Sequence, residues 1–315
     1  MQIVKNTLKK LGLHRLYQFL HTIFFLLPRV LCEETKLILT LLTNGRYAKD
    51  EDVVLASLRT CAHIIDKGLQ ADNWQPDRAI SFYSECVKNI KQLEKSTLNS
   101  DDSYKWAKEK VLEYEKVQET SSPLHLDYSN IHNNEHTRQL LRDIITSRRS
   151  VRSFLNKSVD ADVLKELVSV VNWASSSCNR QPIVLHITQQ RELVRKCLNQ
   201  CAGSTCFSEI EPPCFIAVCV DIRFYRLADR HVFIVDGALG IQNLLLFAHT
   251  YGIEGTVLNW MQATRREEKK LREMLAIPKY ERIIFNIALG YPSKAMPAPG
   301  RKEVTKTYHI QVKAK

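Results

Sequence analysis

Three guanidinium groups and two serine hydroxyls fall within Ser147-Arg148-Arg149-Ser150-Val151-Arg152. Arginine forks bond phosphate oxygens in pairs, so this cluster suits a dianionic phosphate. Arg152 follows Arg148 by four residues. On a helical turn both would share one side and converge on one anion. The plainer reading is a solvated basic helix end, because cations are favourable at helix C-termini. Further along, Trp173-Ala174-Ser175-Ser176-Ser177-Cys178-Asn179-Arg180-Gln181-Pro182 is a small, polar loop of a kind that can lie flat against a planar ligand.

The elements that must position these residues follow from periodicity. Residues 138–147 predict a helix with Leu140, Leu141, Ile144 and Ile145 on one side. Asp160 predicts an N-cap for a helix carrying Val163, Leu164, Leu167, Val168 and Val171. Stretches 183–188, 214–220 and 282–289 are β-rich, the last running into Gly290-Tyr291-Pro292. Residues 232–249 are very apolar and stop near Gly252. Asp236, Gln242 and Asn243 argue for a core helix there rather than a membrane span. Thr264 with Glu267 forms a capping box for the next helix.

Upstream, residues 1–130 read as helical, with helices expected over 51–67 (Gly68 as C-cap), 77–93 and 100–119. The stretch 121–135, rich in Ser, Asn, His and Pro, reads as a linker. The expected organisation is a helical extension over 1–130 and an α+β domain over 135–315, a mixed sheet flanked by helices.

Composition narrows the function. The 315-residue chain is 44% hydrophobic and 25% charged, ordinary for a globular protein. Its net charge of +11 is spread along the sequence. No zinc-finger spacing, aromatic RNA-binding signature or helix-turn-helix accompanies that charge, so nucleic-acid binding is not expected. The nine cysteines are odd in number and fit no CxxC pair. They read as buried free thiols of a reducing cytoplasm, with no metal site. Near the N-terminus, Lys5, Lys9, Lys10 and Arg15 precede an apolar run over 16–31, with no acid before Glu33. No signal-peptide cleavage pattern is expected, and His21 and Pro28 break the run. Residues 1–32 are then either a helix docked on the rest of the protein or a basic amphipathic helix on an anionic membrane, which would put the protein at the inner face.

Four ordered pieces over roughly 137–310 resemble the nitroreductase superfamily of FMN enzymes. Arg148-Arg149-Ser150-x-Arg152-x-Phe154 looks like the opening motif that holds the flavin phosphate and ribityl chain. The loop from Ser175 looks like the segment that reaches the flavin from a partner subunit, with Ser175 where proline is usual and Ser176, Ser177 and Asn179 supplying polar groups. Asp236-Gly237-Ala238 and Gln242-Asn243, followed by Gly252-Ile253-Glu254-Gly255-Thr256, look like the central helix and its turn. Leu258-Asn259-Trp260 then falls where relatives set backbone groups against the reactive flavin edge. After Gly290-Tyr291-Pro292, Arg301 and Lys302 are where relatives close the phosphate site.

The resemblance implies a homodimer with FMN as cofactor and NADH or NADPH as co-substrate. A hydride would pass from the nicotinamide to flavin N5 and on to a small electron-poor acceptor such as a nitro compound, quinone or enone. The flavin carries the chemistry, so no catalytic side chain is assigned, and no HExxH, GxSxG or GxGxxG element is present. The alternatives are a low-turnover flavin-binding protein recruited to a membrane or polysaccharide-biosynthesis complex, and a dehalogenase-like flavin reaction. Cys178, inside the flavin loop, is either a space-filling thiol or a redox group. Ala62-His63-Ile64-Ile65-Asp66-Lys67-Gly68-Leu69 resembles a His-x-x-Glu-Lys-Gly-Leu element of longer family members found among polysaccharide-synthesis genes, with Asp66 in place of glutamate. It also reads as an ordinary helix end.

Overall fold

The computed structural model describes residues 19–20, 22–71, 79–120, 134–207, 211–261 and 263–310. Lys5, Lys9, Lys10 and Arg15, the expected helix start at 77 and nearly all of the expected linker lie outside them. The chain divides into two units. The first gathers Met1–Leu126, Ser176–Pro182 and Asp221–Val235; the second gathers Asp127–Ser175, Ile183–Val220 and Asp236–Lys315.

The first unit is built on helices α1 (Leu27–Leu42), α2 (Glu51–Leu69), α3 (Ile80–Leu93) and α4 (Asp102–Thr120). On α2 the apolar residues Val54, Leu58, Cys61, Ala62, Ile65 and Leu69 recur at helical spacing and are all buried. They pack with Cys86 and Leu93 of α3 and Ala107, Tyr114 and Val117 of α4. Gly68 does not stop α2 as expected. It is buried inside the helix, and the C-cap is Gln70, whose N–H donates to Asp66 O at 3.1 Å. Asp66, from the motif singled out in the sequence, pairs with Lys110 of α4 at 3.0 Å and so ties two helices together. His63 beside it is held below the usual histidine range by burial and then by Lys67.

The second unit has a four-stranded sheet of β1 (Ile183–Thr188), β2 (Cys214–Asp221), β3 (Glu254–Asn259) and β4 (Glu281–Gly290) in the order β1-β2-β4-β3. β1 pairs antiparallel with β2, from Ile183↔Val220 to Thr188↔Phe215, and β3 antiparallel with β4, from Glu254↔Gly290 to Asn259↔Phe285. Every residue of β2 is buried, as its unbroken apolar run requires. Helices α5 (Glu135–Ser147), α6 (Ala161–Ser169), α7 (Arg191–Leu198), α8 (Val232–Thr250) and α9 (Arg265–Leu275) complete the α+β architecture expected from the sequence. Asp160 caps α6 through Asp162 N at 2.8 Å, and the Thr264/Glu267 capping box opens α9.

α8 is the one helix among the described residues long and apolar enough to cross a membrane, by length and composition alone. It lies close to the sheet: a Cβ on Gly240 would sit 2.3 Å from Ile183 Cδ1 and 3.0 Å from the Val171 carbonyl. A side chain there would have to displace Ile183 and press on the Val171 backbone, so glycine suits the approach. The chain leaves α8 through Gly252 at φ +67°, a left-handed turn that suits glycine.

None of the nine cysteines is in a disulfide among the described residues, and six are buried. Burial pushes Cys61 up to about 11 and Cys86, Cys197, Cys201 and Cys214 up to about 12, with Cys219 higher still. Thiolate is the reactive form. A neutral thiol reagent should therefore modify the native protein only at Cys32, Cys178 and Cys206, and all nine after denaturation. Release of more than three thiols from native protein would contradict this burial.

Candidate functional site

Arg148, Arg149, Ser150 and Arg152 line one cavity of about 410 Å³ together with Met296, Pro297, Ala298, Pro299 and Arg301. That volume lies within the range of small-molecule sites. The helical turn expected to bring Arg148 and Arg152 together is absent. α5 ends at Ser147, and Arg148 has φ −50° and ψ 136°, outside the helical region. The arginines converge because the segment is stitched to the chain leaving β4. Phe154 bridges Pro292, Leu155 N donates to Tyr291 O at 2.8 Å, and Ser293 N donates to Ser153 O at 3.0 Å. This lacing returns residues 296–301 over the arginine motif, so two distant parts of the sequence wall one space.

The cavity is electrostatically uncompensated. Among the described residues no carboxylate pairs with Arg148, Arg152 or Arg301. Arg149 spends Nη1 on the carbonyls of Thr146 and Arg148, at 2.6 and 2.9 Å, while its buried Nε has no hydrogen-bond partner. A buried donor without an acceptor is costly, and an anionic oxygen would satisfy it. The donor set therefore fits a phosphate. Lys302 does not line the cavity, and its Nζ reaches Lys306 O at 3.4 Å.

Behind the motif stands a polar row that sequence reasoning missed. Glu254 Oε2 accepts from Arg149 N at 3.4 Å, Glu254 Oε1 lies 2.6 Å from His249 Nδ1, and His249 Nε2 lies 2.6 Å from Ser147 Oγ. The order hydroxyl–imidazole–carboxylate resembles a nucleophile relay. However, the Ser147 hydroxyl is also 2.5 Å from Asp143 O, a strong acceptor that takes its proton. The row meets Arg149 at its backbone N–H, and none of its three members lines the cavity. Thr256 Oγ1 adds a hydrogen bond to Val151 O. The only sequence signal was Glu254 within the motif after α8.

The polar loop belongs to the first unit from Ser176 onward, while Ser175 belongs to the second. Within it Cys178, Asn179 and Gln181 have φ of 51°, 53° and 50°. Asparagine tolerates the left-handed region, but cysteine and glutamine rarely occupy it. Ser176 Oγ accepts from Gln181 N at 3.1 Å, and Asn179 Oδ1 accepts from Gln181 Nε2 at 3.0 Å. Arg180, 8% exposed, donates to Ser177 Oγ at 2.6 Å and to Asp229 Oδ2 at 2.8 Å.

Of the remaining sequence-predicted residues, Asp236 is 3% exposed on α8. Leu258 and Trp260 sit in the hydrophobic cluster against α9, and exposed Asn259 accepts from Met261 N at 3.0 Å. A further convergence was invisible in spacing because its members come from three strands. His186 Nε2 lies 2.6 Å from Glu281 Oε2, and Cys219 Sγ is within 4.8 Å of both.

Residues 145–211 match the Nitroreductase family. Over this stretch the chain is similar to nitroreductases. The matched stretch of this nitroreductase-like chain begins at the arginine motif and contains the polar loop and β1. The chain is 27% identical over 164 residues to an FMN reductase [NAD(P)H] of Bacillus subtilis, covering 47% of this chain and 64% of the relative, less than two thirds of its length. It is 28% identical over 153 residues to a putative NADH dehydrogenase/NAD(P)H nitroreductase of Archaeoglobus fulgidus, covering 47% of this chain and 83% of that one. A crystal structure of a putative NADH dehydrogenase/NAD(P)H nitroreductase from Parabacteroides distasonis aligns over 55% of this chain and 98% of its own, at TM-score 0.48 and 21% identity.

Proposed function

We propose that this nitroreductase-like protein is an FMN-dependent NAD(P)H oxidoreductase. The observation that carries the reading is the arginine cavity with the unpartnered, buried Arg149 Nε. Arg148, Arg149, Arg152 and Arg301 would bind the FMN phosphate, with Ser150 donating to it and Lys302 adding charge at the rim. Leu258, Asn259 and Trp260 would present backbone groups to the reactive edge, and Asp236 would support them from α8. FMN would supply the redox chemistry, carrying reducing equivalents from NADH or NADPH to an electron-poor small molecule. The protein's own task is to hold that group, orient it and exclude water.

A second copy of the chain would bring Ser175, Ser176, Ser177 and Asn179 to each site. Homodimerisation is supported by apolar surface that one chain leaves uncovered. α5 buries none of its residues and exposes Leu140, Leu141 and Ile145, α8 exposes Val235 and Leu239, and Trp173 is 86% exposed. The reading is tested by colour. Purified protein is expected to be yellow, to bleach with NADH or NADPH, and to recover with a quinone or nitroaromatic. Yellow protein that no nicotinamide bleaches would favour a low-turnover flavin carrier, and protein that retains no flavin would end the reading.

A second reading concerns where it works. Phe19, Leu20, Ile23, Phe24, Leu26, Leu27, Val30 and Leu31 are each more than a third exposed. The sequence just before them carries Lys5, Lys9, Lys10 and Arg15 and no acid. That pairing of exposed apolar and basic side chains suits an anionic lipid surface at the cytoplasmic face. The full chain should co-sediment with phosphatidylglycerol vesicles at low salt, and a Phe19→Glu/Phe24→Glu variant should stay in solution. Equal sedimentation of the two would remove this reading.

A further inference from the structure

The first unit poses a question that the flavin reading leaves open: what a helical bundle contributes to a cofactor loop. We infer that the bundle holds residues 176–182 in their left-handed shape, with Arg59 of α2 as the positioning residue. The inference rests on the proposal that this loop contacts FMN.

Three residues bearing side chains sit at positive φ within four positions of one another. Such a loop persists only where its surroundings over-determine it. The surroundings come from the bundle. Arg59 is 8% exposed, and burial pushes its guanidinium below the usual arginine range, opposed by Asp101 and Asp52. Its Nε and Nη2 both donate to the carbonyl of Arg180, at 3.2 and 3.0 Å. Its Nη1 reaches Ser103 Oγ at 3.4 Å, and that hydroxyl donates to Asp101. A buried cation thus spends two of its donors on one backbone oxygen between Asn179 and Gln181, both at positive φ.

Arg180 is fixed at its other end too. Its guanidinium bonds Ser177 Oγ inside the loop and Asp229 outside it, and lies 5.1 Å over the ring of Tyr225. Asp229 and Tyr225 belong to Asp221–Val235, which the bundle holds in turn. Asn44 Nδ2 donates to the carbonyls of Ile222 and Tyr225 at 2.8 and 3.3 Å, and Arg223 pairs with Asp50 at 2.9 Å. Asn44, Asp50 and Arg59 therefore grip the loop by two routes, one direct and one through 221–235. The loop's shape in turn directs Ser176, Ser177 and Asn179, the groups assigned to the flavin. Arg59 acts on the cofactor through that shape, without touching it.

The test uses the full-length protein and FMN. Arg59→Ala should weaken FMN binding by tenfold or more while the protein stays folded. Arg59→Lys, which cannot make the paired bond, should fall between it and the parent. A purely structural role for Arg59 would not be relieved at Cys178, whereas glycine adopts positive φ freely. Adding Cys178→Gly to Arg59→Ala should therefore recover part of the lost affinity. Should Arg59→Ala fail to fold, the Arg59→Lys pair with and without Cys178→Gly carries the same comparison. Parent protein that binds FMN together with folded Arg59 variants that bind it equally well would overturn the inference, as would no recovery from Cys178→Gly. If the parent itself binds no FMN, the flavin reading fails, and the clamp is then judged by hydrogen exchange. The amides of Asn179 and Gln181 should exchange at least tenfold faster in Arg59→Lys than in the parent, and unchanged exchange would sink it.

Discussion

A double substitution Arg148→Ala/Arg152→Ala is expected to strip the protein of FMN. Both guanidinium groups line the cavity, and among the described residues no carboxylate engages either. Their donors are free for an anion, and no internal ion pair need be broken. Each charged hydrogen bond lost contributes about 1.5–3 kcal/mol, which is roughly a tenfold to hundredfold change in Kd. Losing both arginines should therefore leave an apoprotein after gel filtration that still folds, because neither residue supports the core. The measurement is visible flavin absorbance per protein before and after desalting. Lys302→Ala, outside the lining, should lose far less. Equal flavin retention in parent and double variant would mean that the phosphate is held elsewhere.

The largest expected stability effect lies in the first unit, at Arg223→Met. Arg223 Nε and Nη2 bond both carboxylate oxygens of Asp221 at 2.6–3.1 Å, with side chains 5% and 4% exposed. Removing the cation strands a buried carboxylate, a change that typically costs about 3–5 kcal/mol. Denaturant unfolding should report a loss of that order. Replacing both partners, Arg223→Met/Asp221→Leu, should restore much of it, since an apolar pair leaves no charge without a partner. A double variant as unstable as the single one would show that Asp50 and Asp52, the other acids near Arg223, matter more than Asp221.

The fold was legible wherever a local rule operated. The β1 stretch, the Asp160 cap and the Thr264/Glu267 box were read from neighbouring residues, and the structure has them at those positions. Gly68 misled because a glycine near a helix end is a stop signal only if the next turn has nothing to bury, and Leu69 is buried at 3%. In the candidate site, the residue types around Arg148 pointed to an anion, but the expected helical turn did not. The geometry depends on Phe154 meeting Pro292, a contact with no trace in local periodicity. The Glu254–His249–Ser147 row was hidden for the same reason, its members being drawn from β3, α8 and α5. Arg59 gave no signal at all, because a lone arginine on an amphipathic helix reads as surface charge until its partner, far along the chain, is known.

That separation bears on how the protein is made. Arg59 and the Arg180 carbonyl are 121 residues apart in sequence. At translation rates of roughly 5–20 residues per second, the ribosome takes on the order of 6–24 s to deliver the second after the first. Until Arg180 arrives, Nε and Nη2 of Arg59 lack their loop acceptor, so the final closure of the bundle waits for the segments threaded back from the middle of the polypeptide.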